Sequence, residues 1–532
     1  MTSPTQVETD SLKTQLERID DHLRQDLPFV AKSLAVRFVA EHPSNIDGWI
    51  MLGRACVALR EYDKALDAGE KATAIDSGHP AARLLFIEGL LRSGRNDEAL
   101  DTTRSLEKDR QFDPVVMHEV GWAYSRMNKH ADAVRCYERV RILQPINRPV
   151  VHNLAGAYIA LGELEKAEAI FNDVLRKDAH EVDTYYNRAT LRKQTRERNH
   201  IAEMEGVLAG VKPGENAEIV LCYALARELE DLGEWKRSFT YLKRGANAFR
   251  RMSPYRVEID LTLMNEIRVQ FDEAFFAQHP VGYPDESPIF VLGMPRSGTT
   301  LIDRILSSHS TVGSVGESDE FSHLIIRRTR PDGPQEGIDI RHIRKARNLD
   351  WDSAGREYCR AVRGLLPGYE HLLDKTPRNF LYVGLILAAL PNAKIVHLRR
   401  QPVDSCYAIY KTLFRQGFPF SYDLRDTGNF YLGYRELMEH WRRVLPGRFL
   451  DVDYEDLVDH QEEVSRRMIS FCGLEWEDAC LSFEKNTSPS ATASAAQVRR
   501  PIYKSSVALW RRYEQELQPL IRILREGGIQ VD

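Results

Sequence analysis

The stretch IFVLGMPRSGTTLIDRIL, residues 289–306, decides the fold of the second half of the chain. It opens with a short apolar run, Ile289 to Leu292, which reads as a buried strand. It continues through a loop with glycines at 293 and 298. It ends in TTLIDRILSSH, whose apolar spacing is helical. A strand that passes through G-x-x-x-x-G-T-T into a helix gathers backbone N–H groups and a helix N-terminus around one point, which suits an anion. Loops that grip nucleoside triphosphates place a lysine after the second glycine to hold the β and γ phosphates. Here Thr299 and Thr300 stand in that place. Such a loop suits a single 5′ phosphate bearing a transferable group, with Arg296 supplying charge from inside the loop.

Working outward, further strand candidates are HLLDK (371–375), AKIVHL (393–398) and RFLDVDY (448–454). Helical stretches separate them, among them LYVGLILAALP and NFYLGYRELMEHWRRVL. Strands alternating with helices predict a parallel sheet covered on both faces, with ligands beyond the carboxyl ends of the strands. Before the loop, residues 251–286 read as a linker, helical to about Gln278 and then rich in Pro and Gly.

The first half repeats. Ala31, Ala65, Ala99, Ala133 and Ala167 follow one another at steps of 34 residues. Each lies in a similar helix, such as REYDKALDAGEKA or GELEKAEAIFNDV, with an apolar helix upstream. A small residue at each step lets two antiparallel helices approach, and Tyr124, Tyr137, Tyr158 and Phe171 fill the space between pairs. The period is that of tetratricopeptide repeats, which this half resembles over roughly residues 10–200. YNRATLRKQTRERNHIAEMEGVL reads as a weaker unit, and CYALARELEDLGEWKRSFTYLKRGANAF as one more helical hairpin. Such solenoids present a concave surface to a peptide or partner. A protein or peptide ligand and a bare scaffold or homodimer surface are both compatible with it.

The loop and the residues after it carry a second resemblance. PRSGTTLI looks like the 5′-phosphosulfate loop of sulfotransferases that use 3′-phosphoadenosine 5′-phosphosulfate. The longer string PRSGTTLIDRILSSHSTVGSVGES resembles the tyrosylprotein sulfotransferases, over roughly residues 287–515. The resemblance implies that Arg296 and the amides of Ser297, Gly298, Thr299 and Thr300 seat the 5′ phosphate. It implies that Glu317, in GSVGESDEF, is the catalytic base, with Asp319 and Glu320 as nearby competitors. It implies that Lys375, in HLLDKTPRNF, stabilises the leaving group from the side of the sulfur opposite Glu317. A carboxylate can take the proton of an attacking hydroxyl, and a fixed ammonium counts most where negative charge develops.

The 3′ phosphate falls to Arg400 in IVHLRRQPVDSCYAIYK, with Arg399 as the second candidate. The family's serine eight residues on is Ala408 here, so either Ser405 replaces it or arginine and backbone suffice. Tyr454, in FLDVDYEDLV, matches a tyrosine near the donor. Ser494, Gln497 and Val498 match a loop that covers it, and TSPSATASAA reads as a lid. Leu509 stands where the family has a basic residue before Trp510, which leaves Lys504, Arg499 or Arg511 to contribute.

Composition limits the alternatives. The 532 residues are 43% hydrophobic and 28% charged, with a formal net charge of -5, which argues against a general nucleic-acid binder. The seven cysteines form no CxxC pair, so neither zinc nor disulfides are expected. No metal-ligand spacing is present. The start, MTSPTQVETDSLKTQLERID, lacks the apolar core of a signal peptide, and no run approaches a membrane span. The expected location is therefore cytoplasmic. The expected architecture is an α-solenoid of tetratricopeptide repeats (1–250), a helical linker (251–286) and a P-loop-like α/β sulfotransferase domain with a central parallel sheet (287–532). The expected reaction is sulfuryl transfer from 3′-phosphoadenosine 5′-phosphosulfate, without metal, to an acceptor hydroxyl such as protein tyrosine. A kinase of nucleotides or metabolites and a catalytically inactive binding protein are the alternatives.

Overall fold

The computed structural model describes residues 4–531 apart from 26, 60, 94, 145–147, 279–280, 330–336, 367, 415–416, 487–501, 503 and 505. The chain divides into two compact units, residues 1–173 and 174–532.

In the first unit the repeats are helix pairs: Ile46–Ala58 with Tyr62–Ile75, Pro80–Arg92 with Asn96–Asp109, and Pro114–Arg126 with His130–Leu143. Local signals start them. The Asn45 side chain accepts from the Gly48 amide and Asp113 from Val115 and Val116, while Pro80 and Pro114 open their helices. The five alanines at the repeat step are fully buried, as the spacing predicts, and Tyr124, Tyr137, Tyr158 and Phe171 are buried beside them. Close approach is set by glycine as well. A Cβ on Gly69 would lie 2.9 Å from Phe86 Cα, and one on Gly89 2.8 Å from Leu66 Cα. The helices Tyr62–Ile75 and Pro80–Arg92 therefore meet backbone to backbone.

The second unit is built on a five-stranded parallel sheet. Its strands are β1 (Pro288–Gly293), β2 (Val312–Gly316), β3 (His371–Asp374), β4 (Lys394–Arg399) and β5 (Leu450–Asp453), in the order β2-β3-β1-β4-β5. Four of these are the expected strands. β2 is new: TVGSVG carries two glycines, which hides its strand character, and it lies at an edge of the sheet. β1 is central and buried along its whole length. Alternation sends Phe290 and Leu292 into a core with Phe321 and Tyr358. Ile289 and Val291 enter a second core with Ile302, Ile305 and Val452. Two buried faces explain why β1 reads as an unbroken apolar run. The strand order reverses around β1, and in sheets of this kind ligands bind beyond the carboxyl ends of the strands at that point.

The helical hairpin Asn216–Asp231 and Trp235–Met252 is packed into this second unit. Tyr223 donates to the Tyr410 carbonyl at 3.2 Å, and Phe249 stacks on Tyr422 with centroids 3.6 Å apart. The division near residue 250 follows the repeat pattern in the sequence, whereas this packing follows burial. No helix among the described residues is long and apolar enough to cross a membrane.

The backbone contact at Gly89 makes a direct test of the repeat packing. Gly89→Ala should destabilise the chain by about 1–3 kcal/mol, because the added methyl has no room without parting two helices. Denaturant unfolding of the full chain checks this, and an unchanged midpoint would contradict it.

Candidate active site at the carboxyl ends of the strands

The glycine loop leaves β1 at Gly293, whose φ of 152° and closeness to β4 exclude a side chain: a Cβ would lie 2.5 Å from the Leu398 carbonyl oxygen. The chain then turns sharply. Arg296 adopts a left-handed φ of 62°, uncommon for a residue with a side chain. The Ser297 amide closes the turn onto the Met294 carbonyl at 3.2 Å. Gly298 has a φ of 112°, and a Cβ there would strike the Tyr454 ring at 2.7 Å. Thr299 and Thr300 begin the helix Thr299–Leu306, which is buried throughout. The Ser297 hydroxyl is buried and has no hydrogen-bond partner among the described residues. A buried hydroxyl in that state is costly unless a ligand meets it.

Glu317 follows β2 directly and Lys375 follows β3, so the parallel pairing of these strands brings them together. The Lys375 amide donates to the Gly316 carbonyl at 2.9 Å, and its Nζ donates to Glu317 Oε1 at 2.5 Å. The Lys375 side chain is 1% exposed, while that of Glu317 is 45% exposed. Of the two competitors, Glu320 is buried and paired with Arg327 at 2.8 Å, and Asp319 sits at a positive φ of 51°. Glu317 is the acid of the three that meets the lysine. The expected arrangement has Glu317 and Lys375 on opposite sides of a transferred group. Here they touch, so that space is closed by their ion pair.

Two buried acids without a motif of their own hold this corner. Asp374, the residue before Lys375, accepts from Ser318 Oγ at 2.8 Å, Tyr358 OH at 2.9 Å and Thr376 Oγ1 at 2.7 Å. Asp303, on the loop helix, accepts from Ser314 Oγ at 2.5 Å, and that hydroxyl in turn accepts from the Gly316 amide at 3.0 Å. Burial pushes both carboxyls above their ordinary range. Neither is among the residues that the sequence motifs single out. An acid beside a candidate lysine, and one in the helix after the loop, are the only signals the sequence offers.

The ends of β4 and β5 supply the rest. Arg399 is committed to Asp453 at 2.6 Å, on the neighbouring strand. Arg400 turns instead to the loop: Nη1 donates to the Arg296 carbonyl at 3.2 Å and Nη2 to the Ser506 carbonyl at 2.6 Å. Its guanidinium lies 5.0 Å from the Tyr454 ring centre, and its buried Nε has no partner among the described residues. Ser405, in the helix Pro402–Tyr410, likewise has a buried hydroxyl without a partner among the described residues. The Tyr454 hydroxyl meets Ser506 Oγ at 3.0 Å. Asp404, also missed, accepts from the amides of Ala508 at 2.6 Å and Trp510 at 3.1 Å. It ties the segment 506–510 to the helix that follows Arg400, and its place at the start of that helix is the clue to it. Lys504 pairs with Asp459 at 2.5 Å. Ser494, Gln497, Val498 and Arg499, with the expected lid 487–496, lie outside the described residues. Among the described residues no group of three or more His, Cys, Asp or Glu side chains is arranged to hold a metal ion.

Residues 288–478 match the sulfotransferase family. Residues 16–80 match the tetratricopeptide repeat, and 55–186 match the tetratricopeptide region of Psidin. An uncharacterized protein of Aquifex aeolicus is 32% identical over 407 residues, 75% of this chain and 53% of that one. The protein-tyrosine sulfotransferase of Drosophila melanogaster is 25% identical over 255 residues, 44% of this chain and 49% of that one. The chain thus spans about half the length of these two relatives. The sulfotransferase domain of the Synechococcus PCC 7002 olefin synthase covers 47% of this chain and 98% of its own, at 18% identity and a TM-score of 0.34, a likeness too loose to carry weight. The chain therefore joins an amino-terminal array of tetratricopeptide repeats to a carboxyl-terminal sulfotransferase-family domain.

Proposed function

We propose that this chain transfers a sulfuryl group from 3′-phosphoadenosine 5′-phosphosulfate to an acceptor hydroxyl, with protein tyrosine as the acceptor. The observation that carries the reading is the Lys375–Glu317 contact of 2.5 Å at the edge of a glycine loop that lacks its own lysine. The residues fit the donor. Ser297 Oγ in the loop, Arg400 Nε beyond β4 and Ser405 Oγ after it are buried polar atoms without partners among the described residues. Such groups suit phosphate oxygens, and the guanidinium adds charge-assisted hydrogen bonds. Arg296, Ser297, Gly298, Thr299 and Thr300 would hold the 5′ phosphate. Arg400 and Ser405 would hold the 3′ phosphate, in place of the pair that Ala408 breaks. Tyr454 closes the side of the loop against Gly298.

The bound donor supplies the sulfuryl group and a phosphate able to leave with the electrons of the broken bond. The side chains do the rest. Lys375 is sealed from water and needs an anion beside it at every stage. In the structure that anion is Glu317. During transfer it is the oxygen on which negative charge builds, where a preplaced cation is most effective. Glu317, exposed on its other side and relieved of its counter-ion, is then placed to take the acceptor's proton. The tyrosine acceptor is supported by the relatives with that activity, and the tetratricopeptide array gives a surface of the kind that binds a peptide.

Two predictions test these roles. With radiolabelled donor and fractionated extract or tyrosine peptides as acceptors, Glu317→Gln and Lys375→Met should each lower transfer by about 10²–10⁴-fold. The glutamine leaves Lys375 a neutral acceptor in place of an anion, so some stability should be lost, and rates are compared on protein shown by circular dichroism to be folded. Unaltered rates in both variants would refute the assignment. Arg400→Ala should weaken binding of 3′-phosphoadenosine 5′-phosphate by about ten- to a hundredfold, while changing that of adenosine 5′-monophosphate far less. Calorimetry measures both, and equal losses would show that Arg400 does not read the 3′ phosphate.

A further inference from the structure

Glu230 lies near the end of the helix Asn216–Asp231, in the hairpin that continues the repeat pattern of the first half. Its carboxylate is nearly buried and accepts three hydrogen bonds from far along the chain. Lys411 Nζ donates to Oε1 at 2.7 Å, and Tyr407 OH and Tyr513 OH donate to Oε2 at 2.8 and 3.0 Å. The Tyr407 and Tyr513 rings are in contact, with centroids 4.7 Å apart. Burial works to raise the Glu230 carboxyl, but Lys411 and these hydrogen bonds outweigh it and hold it below its ordinary value.

The three donors belong to two segments that also border the proposed donor site. Tyr407 and Lys411 sit at the far end of the helix Pro402–Tyr410, which carries Ser405 and follows Arg400. Tyr513 ends the 3₁₀ turn Leu509–Tyr513, directly after the segment whose Ser506 carbonyl meets Arg400. The same two segments are joined at their other end, where Asp404 accepts from the amides of Ala508 and Trp510. One carboxylate therefore fastens them beside Arg400, and a second fastens them about one to two helical turns further on.

We propose that Glu230 is a positioning residue for the nucleotide site: it locks the 402–410 helix and the 506–513 segment together so that Arg400 and Ser405 keep their places. The assignment rests on 3′-phosphoadenosine 5′-phosphosulfate being the donor. Its physical basis is the shared acceptor. Without Glu230, the Lys411 ammonium and the Tyr407 hydroxyl lose their carboxylate while Tyr513 OH retains only Ser238 Oγ at 3.3 Å, so the tie between the two segments is lost. A residue of the repeat-like hairpin would then be part of what shapes the catalytic half.

The test compares two variants of the full chain. Glu230→Gln keeps the shape and removes the charge. Glu218→Gln removes a buried carboxylate from the same helix, where the partners are Arg244 at 2.7 Å and the Gly214 amide at 2.8 Å, neither of them in the two fastened segments. Glu230→Gln should weaken calorimetric binding of 3′-phosphoadenosine 5′-phosphate by about tenfold, and Glu218→Gln should leave it unchanged, although both lower the unfolding midpoint. Equal affinities in the two variants would overturn the assignment, because loss of hairpin stability would then account for everything. If Glu230→Gln does not fold, Tyr513→Phe removes a single donor and is judged against the same control, with a loss of about threefold expected and no loss overturning the proposal. If the unaltered chain itself captures no 3′-phosphoadenosine 5′-phosphate, the donor reading fails first, and the positioning role falls with it.

Discussion

An ammonium closed off from water must have an anion within reach, and the Lys375 side chain is 1% exposed. Leaving such a charge unpaired costs about 3–5 kcal/mol. Much of the sheet's carboxyl edge is arranged around that requirement. β2 runs beside β3 so that the Lys375 amide can donate to Gly316 and the side chain can meet Glu317. Asp374 gathers Ser318, Tyr358 and Thr376 around the same corner, and Asp303 reaches across from the loop helix to Ser314. A pair held on one side by rigid strands, with only the carboxylate open to solvent, can exchange partners without either charge being stranded in a dry site.

The same arrangement accounts for the loop. A lysine inside a glycine loop grips the distal phosphates of a triphosphate. Here the cation comes from the end of a neighbouring strand, beside the loop rather than within it. On the proposed reading, that would put positive charge beside the first phosphate, where the transferable group is attached. Arg296, held at a left-handed φ of 62°, and Arg400, bonded to its carbonyl, add charge around the loop's backbone. The loop, the Glu317–Lys375 pair and the arginine past β4 come from separate strands, and the parallel sheet brings their ends to one edge.

Periodic and contiguous features are legible in the sequence. The 34-residue step locates the buried alanines because each repeat solves the same packing problem. The apolar run before the loop locates β1 because a strand buried on both faces cannot alternate. β2 escapes notice because two of its residues are glycines, and an edge strand needs less apolar surface. Lys504 is a candidate for the nucleotide by its place before Trp510, and its pairing with Asp459 has no mark in the sequence. Glu230 has no local mark at all. Its partners lie 177, 181 and 283 residues away, a separation that no motif or period encodes. Asp404 shows the middle case: it sits inside a recognisable motif, yet its role depends on amides 104 and 106 residues onward.

The most direct measurement is a crystal structure of the chain bound to 3′-phosphoadenosine 5′-phosphate. The 5′ phosphate should lie in the cup of residues 296–300, with Lys375 Nζ swung onto one of its oxygens and no longer bonded to Glu317. A nucleotide seated elsewhere, or a Lys375 still held by Glu317 and out of reach of the phosphate, would contradict this assignment.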